Sequence, residues 1–333
     1  MINLPEIPTK VISVKLRPKA ERMVKKRHPW VFEDSITKQN TEGKSGDVVV
    51  IYDTKKNKFL ACGLFDPNSP IRIKLLQFGK PAKLDSDFFK NRIDTIFALR
   101  NDLLLTDTNS YRFVYGEADG LPGLIADVYA DVLVVKIYSA IWFPYLKDIL
   151  PHLLAKSNCK TIVLRLSRNV QKSKENISLK DGQVIYGDLA NNVVVFKEHG
   201  VHFSANVIYG HKTGYFLDHR ENRKRVGALS KDKTVLDVFS YAGGFSVHAL
   251  ANGAKEVTSL DISAQALEMA VQNGKLNDYN GIHNTMAIDA FIGLHDLIKQ
   301  GKSFDVVVID PPSFAKSAKE IDKAMHSYSR LAR

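Results

Sequence analysis

Val235-Leu-Asp-Val-Phe-Ser-Tyr-Ala-Gly-Gly-Phe-Ser246 begins as a short apolar run, Val235–Phe239, and passes into a small-residue loop ahead of a helix predicted over Val247–Asn252. Three further runs follow at intervals that a helix can fill: Glu256–Asp261, Asn284–Asp289 and Asp305–Asp310. Continuous apolar strands alternating with helices predict a parallel sheet covered on both faces. Asp261, Asp289 and Asp310 stand at the carboxyl ends of their strands, and Asp237 lies in the middle of the first. Ligands of open α/β sheets bind outside the carboxyl ends of strands, so these acids are expected to converge on one crevice. The loop keeps only the pair Gly243-Gly244 of a dinucleotide fingerprint, which suits a nucleoside without a pyrophosphate better than a nicotinamide dinucleotide. Asp261, about 20 residues beyond the loop, suits the two hydroxyls of a ribose. Asp310-Pro-Pro-Ser-Phe314 completes the set, its prolines fixing an extended lip that carries a carboxylate. Each acid also has a plainer reading, as the N-cap of the following helix, but capping alone does not explain a shared strand-end placement.

Upstream, the grammar differs. A helix predicted over Ser86–Leu105 carries Phe89, Ile93, Ile96, Phe97 and Leu103 at helical spacing, so these are core residues. Hairpin syntax follows in Tyr111–Tyr115, the turn-rich Gly116–Gly123, and the runs Leu124–Tyr129 and Val132–Tyr138. A helix over Pro144–Lys156, a strand at Thr161–Ser167 and a polar loop over Gln171–Gly182 complete an α+β section. The first quarter contains four extended runs, Val11–Leu16, Asp47–Tyr52, Phe59–Phe65 and Ile71–Leu76, and reads as a small β module. Between the first two, Lys19–Trp30 predicts a short helix ended by Pro29, with Arg22, Lys25, Lys26 and Arg27 crowded on it.

Of the net charge of +11, residues 1–80 carry +8, residues 81–200 carry +1 and residues 201–333 carry +2. A solvated helix face is the ordinary meaning of such a basic cluster, but this asymmetry favours a polyanion as its partner. The 333 residues exceed what one core ordinarily organises, so two or three domains are expected. Only Cys62 and Cys159 occur, neither in a Cys/His cluster, which excludes a disulfide framework or a zinc site, and no metal is expected. The N-terminus lacks signal-peptide regions and no apolar run approaches the ~18 residues of a spanning helix, so a cytoplasmic protein without membrane contact is expected.

Asp237–Ser246, Asp261-Ile-Ser263 and Asp310-Pro-Pro-Ser-Phe-Ala-Lys-Ser317 resemble the motifs of class I S-adenosylmethionine-dependent methyltransferases. More narrowly, the chain is similar to the bacterial 23S rRNA cytosine-C5 methyltransferase family that carries an N-terminal PUA domain. Glu117–Tyr129 and Gly210-His-Lys-Thr-Gly-Tyr-Phe-Leu-Asp-His-Arg220 also match that family, as does the basic first quarter with His28-Pro-Trp30. The resemblance implies a PUA-like RNA-binding module over 1–80, a central α+β domain over 81–204 and a Rossmann-like methyltransferase domain over 205–333, with rRNA as partner. It also assigns roles. Asp261 would hold the ribose hydroxyls, with Ile262 beside it, and Asp289 would accept from the adenine amino group. The Asp237–Gly244 segment, including Tyr241, Gly243 and Gly244, would pass under the methionine part. Phe216 and Arg220 would close over S-adenosyl-L-methionine, and Asp310 would lie nearest the methyl group and the target base.

Carbon 5 of cytosine is a poor nucleophile, and the family's reaction adds a cysteine thiolate to C6. In the family that cysteine lies on a strand beyond the Asp-Pro-Pro segment. Neither Cys62 nor Cys159 matches that position, and the motif has Ser313 where some cytosine methyltransferases have Cys. The expectation is therefore a C-terminally truncated family member with an incomplete parallel sheet, binding the cofactor weakly or not at all and unable to methylate. Two other readings compete: an RNA-binding protein with a vestigial methyltransferase fold, and an amino-group base methyltransferase. The second usually places an aromatic directly after the Pro-Pro, where this chain has Ser313 before Phe314.

Overall fold

A computed structural model describes residue 2 and residues 4–173, 179–315 and 317–332. Residues 174–178, in the loop expected over Gln171–Gly182, and residue 316 of the Asp310–Ser317 motif lie outside the described residues. The chain forms two compact units, Met1–Phe196 with Ala205–Tyr215, and Lys197–Ser204 with Phe216–Arg333.

The first unit begins with a six-stranded mixed sheet in the order Trp30–Val31, Ile73–Phe78, Phe59–Phe65, Val48–Tyr52, Val11–Leu16, Ile36–Gln39. Alternation fixes its inner face: Ile12, Val14, Val49, Ile51 and Ile73 are all fully buried in one cluster. The strand expected at Ile71–Leu76 begins two residues later, at Ile73, because Asp66 and Ser69 build a turn before it. Pro18 opens the basic helix, which ends at Lys25 and not at Pro29. Its last carbonyls are taken by the N–H groups of Lys26, Arg27 and His28, and Arg27 adopts a left-handed conformation (φ 63°) that redirects the chain into Trp30.

A five-stranded sheet follows in the order Gln183–Tyr186, Thr161–Leu166, Val132–Ile137, Leu124–Tyr129, Ser110–Tyr115. Helix Ser86–Ala98, capped by the Asp85 carboxylate on the Phe88 N–H, buries Phe89, Ile93 and Ile96 in its core. The single helix expected to Leu105 is two, with a second over Asn101–Leu104. Arg100 stands at the break, its guanidinium held by Asp119 and the Arg112 carbonyl.

In the second unit four strands pair in parallel, in the order Ile282–Ala287, Glu256–Asp261, Thr234–Val238, Val306–Ile309. Val235 and Val257 belong to one apolar cluster with Ala249 and Leu250, while Leu236 and Leu260 join Ala290 and Leu297 in another. Successive residues thus bury into opposite layers, which is why the strands read as unbroken apolar runs. Among the described residues Val306–Ile309 pairs with Thr234–Val238 alone, and Val307 and Ile309 are 50% and 39% exposed.

Candidate cofactor-binding site

Strand order reverses between Thr234–Val238 and Val306–Ile309, because the chain builds outward from the first strand on one side and then crosses to the other. A doubly wound sheet opens a crevice at such a point, outside the carboxyl ends of the two strands. The loop leaving Thr234–Val238 is left-handed at Phe239 (φ 66°), Tyr241 (φ 48°) and Gly243 (φ 77°). Two side-chain-bearing residues in that region within three positions mark stored backbone strain, which concentrates at ligand-binding loops. A Cβ on Gly243 would lie 2.7 Å from the Ala270 Cβ, so glycine is required there for closeness as well as for φ. The helix starts at Gly244, three residues before the expected Val247, so its first free N–H groups belong to the glycine loop itself.

Asp237, Asp261 and Asp310 stand at the loop's end of the sheet, and Asp289 follows the outer strand. Asp237 is fully buried, and its Oδ2 accepts from the Ser246 N–H (3.0 Å) and Oγ (2.6 Å). Burial pushes its carboxyl up to about 6 against those hydrogen bonds, and the charges of Asp310 and Asp261 push the same way. The register places the three carboxylates at the same end of the sheet, since Val238, next to Asp237, pairs with Leu260 and Ile309, the residues before Asp261 and Asp310. Asp261 Oδ2 accepts from the Tyr241 N–H and its Oδ1 from the Ser263 N–H, both at 2.9 Å, so it pins the strained residue. Asp289 differs from expectation: its strand ends at Ala287, and the carboxylate caps helix Ala290–Lys299 through the Phe291 and Ile292 N–H groups. Strand Ile282–Ala287 is an edge with mostly exposed side chains, so its apolar signal misplaced the boundary. Asp310 follows its strand directly, is half-exposed, and lies 3.9 Å from His219 Nε2.

Phe216 is 39% exposed with its ring 5.5 Å from that of Tyr241, at right angles. Arg220 begins helix Arg220–Leu229, with Nε 3.4 Å from Glu221 Oε1. Ile262 presents an apolar side chain, 73% exposed, beside Asp261. Several contributors were not foreseen. Asn273 donates to the Ala242 carbonyl at 3.0 Å and so braces the loop from the neighbouring helix. Ser246 Oγ continues to Ser259 Oγ (2.6 Å) and on to the partly buried His283 Nε2 (2.8 Å), a polar chain leading away from Asp237. In the first unit, Asp127 binds Arg112 and Thr213, and Tyr129 binds Thr213 and Tyr215. Those contacts explain why the Glu117–Tyr129 and Gly210–Arg220 motifs occur together: one clamps the other.

Phe314 packs 4.9 Å from Tyr328, with Phe291 and Phe239 also beside it. The basic cluster is exposed at Arg22, Lys25, Lys26 and Arg27, and Lys25 Nζ lies 2.9 Å from Asp53 Oδ2. Cys62 and Cys159 are buried in the first unit, where burial raises both thiols, Cys159 to about 11. Among the described residues no group of three or more His, Cys, Asp or Glu side chains could hold a metal ion, and no helix is long and apolar enough to cross a membrane.

The loop fits an adenosine bearing a cationic tail. Asp237 Oδ1 and Ser240 Oγ are both buried without a hydrogen-bond partner, leaving an acceptor and a hydroxyl at the turn where an ammonium group would lie. Residues 14–78 match a PUA-like domain and residues 182–333 an S-adenosylmethionine-dependent methyltransferase domain. A ribosomal RNA large subunit methyltransferase of Deinococcus radiodurans is 46% identical over 319 residues, covering 94% of this chain and 78% of that protein. A ribosomal RNA large subunit methyltransferase I of Aliivibrio fischeri is 35% identical, covering 96% and 81%. A solved methyltransferase complexed with S-adenosylhomocysteine shares the fold, with a TM-score of 0.77 at 20% identity over 97% of this chain and 83% of that one. A PUA-like β module, a Rossmann-like sheet with a glycine loop ringed by carboxylates, and relatives of this identity along nearly the whole chain make it a member of the family of S-adenosylmethionine-dependent large-subunit ribosomal RNA methyltransferases.

Proposed function

We propose that the protein methylates 23S rRNA in the cytoplasm, forming 5-methylcytosine with a C6-attacking thiolate that residues 1–333 do not themselves supply, so that those residues alone are expected to be inactive. The observation that carries the reading is the grouping of Asp237, Asp261 and Asp310 around the strained Phe239–Gly244 loop at the strand-order reversal. When bound, S-adenosylmethionine supplies an electrophilic methyl group. Asp261 holds the ribose hydroxyls with lone pairs that the Tyr241 and Ser263 N–H groups leave free, and Ile262 lies against the adenine. Asp289 accepts from the adenine amino group, and the Asp237–Gly244 segment, with Tyr241, Gly243 and Gly244, follows the methionine portion. Phe216 and Arg220 close over the cofactor, and Asp310 lies beside the methyl group and the base. The C6-attacking thiolate is not assigned to Cys62 or Cys159, whose burial in the first unit keeps both protonated. The amino-group alternative is disfavoured by Phe314, which is packed among Phe291, Phe239 and Tyr328 and is not free to stack a base.

Asp237 gives this reading a pH signature. Its folded-state value of about 6 lies above the ordinary 3.8, so the folded protein holds the proton over that interval. An ammonium group favours the ionised form, so affinity for S-adenosylhomocysteine should rise as pH passes upward through 6, with proton release on binding. Calorimetry in buffers of different ionisation enthalpy checks this; Asp237→Asn should weaken binding and flatten the profile.

Residues 1–80 are the RNA-gripping part of this reading, through Arg22, Lys25, Lys26 and Arg27. Each neutralised phosphate of single-stranded RNA contributes about −0.7 to the slope of log affinity against log salt. Replacing Arg22, Lys26 and Arg27 together by alanine should therefore flatten the slope by about 2 in a filter-binding titration. An unchanged slope would remove the helix from the RNA interface.

A further inference from the structure

We propose that Glu198, Arg223 and His248 form a positioning unit for S-adenosylmethionine, holding Phe216 and the helix of the glycine loop in the arrangement the cofactor needs. Glu198 is fully buried at the end of strand Val193–Glu198. Its Oε1 accepts from Arg223 Nε (2.7 Å) and pairs with His248 Nε2 (3.0 Å), and its Oε2 accepts from Arg223 Nη2 (2.7 Å). Arg223 Nη2 also donates to the Phe216 carbonyl at 3.1 Å. Arg223 belongs to the helix that Arg220 begins, and His248 to the helix that starts at Gly244. One carboxylate thus joins three pieces of chain, of which one helix begins at Arg220 and another at Gly244 of the glycine loop.

A buried ionic triad is a poor device for stability, because apolar residues of the same volume ordinarily serve as well or better. What a bidentate fork supplies is fixed direction: the planar guanidinium can meet both carboxylate oxygens and still point an N–H at Phe216 only in one orientation. Lysine keeps the charge and loses the fork.

The inference rests on the reading that Phe216 and the Phe239–Gly244 loop border the cofactor. The test is calorimetric titration of the full chain with S-adenosylhomocysteine, beside filter binding to rRNA and thermal melting by circular dichroism. Arg223→Lys should melt cooperatively, bind RNA as the wild type does, and bind S-adenosylhomocysteine about tenfold more weakly. His248→Gln, which spares the Arg223–Glu198 fork, should weaken it about threefold, and it serves if Arg223→Lys does not fold. Cooperatively melting variants with wild-type affinity would overturn the proposal while Asp261→Ala still weakens binding by about a hundredfold. If Asp261→Ala also binds normally, the reading of the cofactor site falls, and the proposal with it.

Discussion

Replacing Asp261 with alanine should weaken S-adenosylhomocysteine binding by about a hundredfold or more, the largest single loss expected in the site. Two effects combine. Each carboxylate oxygen already accepts a backbone N–H, from Tyr241 and from Ser263, so its removal releases a left-handed residue that carries a side chain. The same oxygens lose the ribose hydroxyls, and hydrogen bonds to a charged group contribute about 1.5–3 kcal/mol each. Asp261→Asn separates the two, since the amide retains one acceptor oxygen; an intermediate loss of about tenfold is expected. Ile262→Ala, which removes only exposed apolar surface, should cost less than either. Calorimetric titration of the three variants checks the order. An Asp261→Ala protein within threefold of the wild type would mean that the ribose lies elsewhere.

The second large effect is on stability. Glu198→Gln leaves Arg223 buried beside a neutral partner, and breaking a buried pair from one side costs about 3–5 kcal/mol. Its pH dependence follows from the same group. Burial by itself would raise the Glu198 carboxyl, but Arg223 and His248 outweigh it and hold it at about 2, against an ordinary 4.5. The unfolded chain therefore takes up the proton first as pH falls. The stabilisation, about 3 kcal/mol from the difference in the two values, is complete above the unfolded value and is lost between 4.5 and 2. Asp237 acts in the opposite sense: its raised carboxyl makes the folded state less stable as pH rises from about 4 to 6. Denaturant unfolding followed by far-ultraviolet circular dichroism between pH 2.5 and 7 should show an acid limb in the wild type that is much reduced in Glu198→Gln. A limb of equal size in both would place the acid sensitivity in other groups.

The sheet of the second unit was legible because Val235 and Leu236 bury into different layers, so the strand is apolar on both faces, with Asp237 the buried exception. Asp261 was legible for a related reason, as the last residue of a buried strand paired in register on both sides. Asp289 was placed less well: Ile282–Ala287 is a partly exposed edge, and polar residues there carry little boundary information. The single helix expected over Ser86–Leu105 failed at Arg100, whose partners are the distant Asp119 and the Arg112 carbonyl, so local periodicity was silent about the break. Glu198, Arg223 and His248 left no trace in the sequence. They are separated by 25 and 50 positions from Glu198 outward, and in a basic segment such as Arg220–Arg225 nothing marks one arginine as buried. Long-range polar pairing carries no period.

The most direct measurement is mass spectrometry of nucleosides from 23S rRNA of cells lacking this gene, beside the parent strain and a strain with the gene restored. The proposed function predicts the loss of one 5-methylcytidine in the deletion strain and its return on complementation, with other methylated nucleosides unchanged. An identical 5-methylcytidine content in all three strains would contradict it.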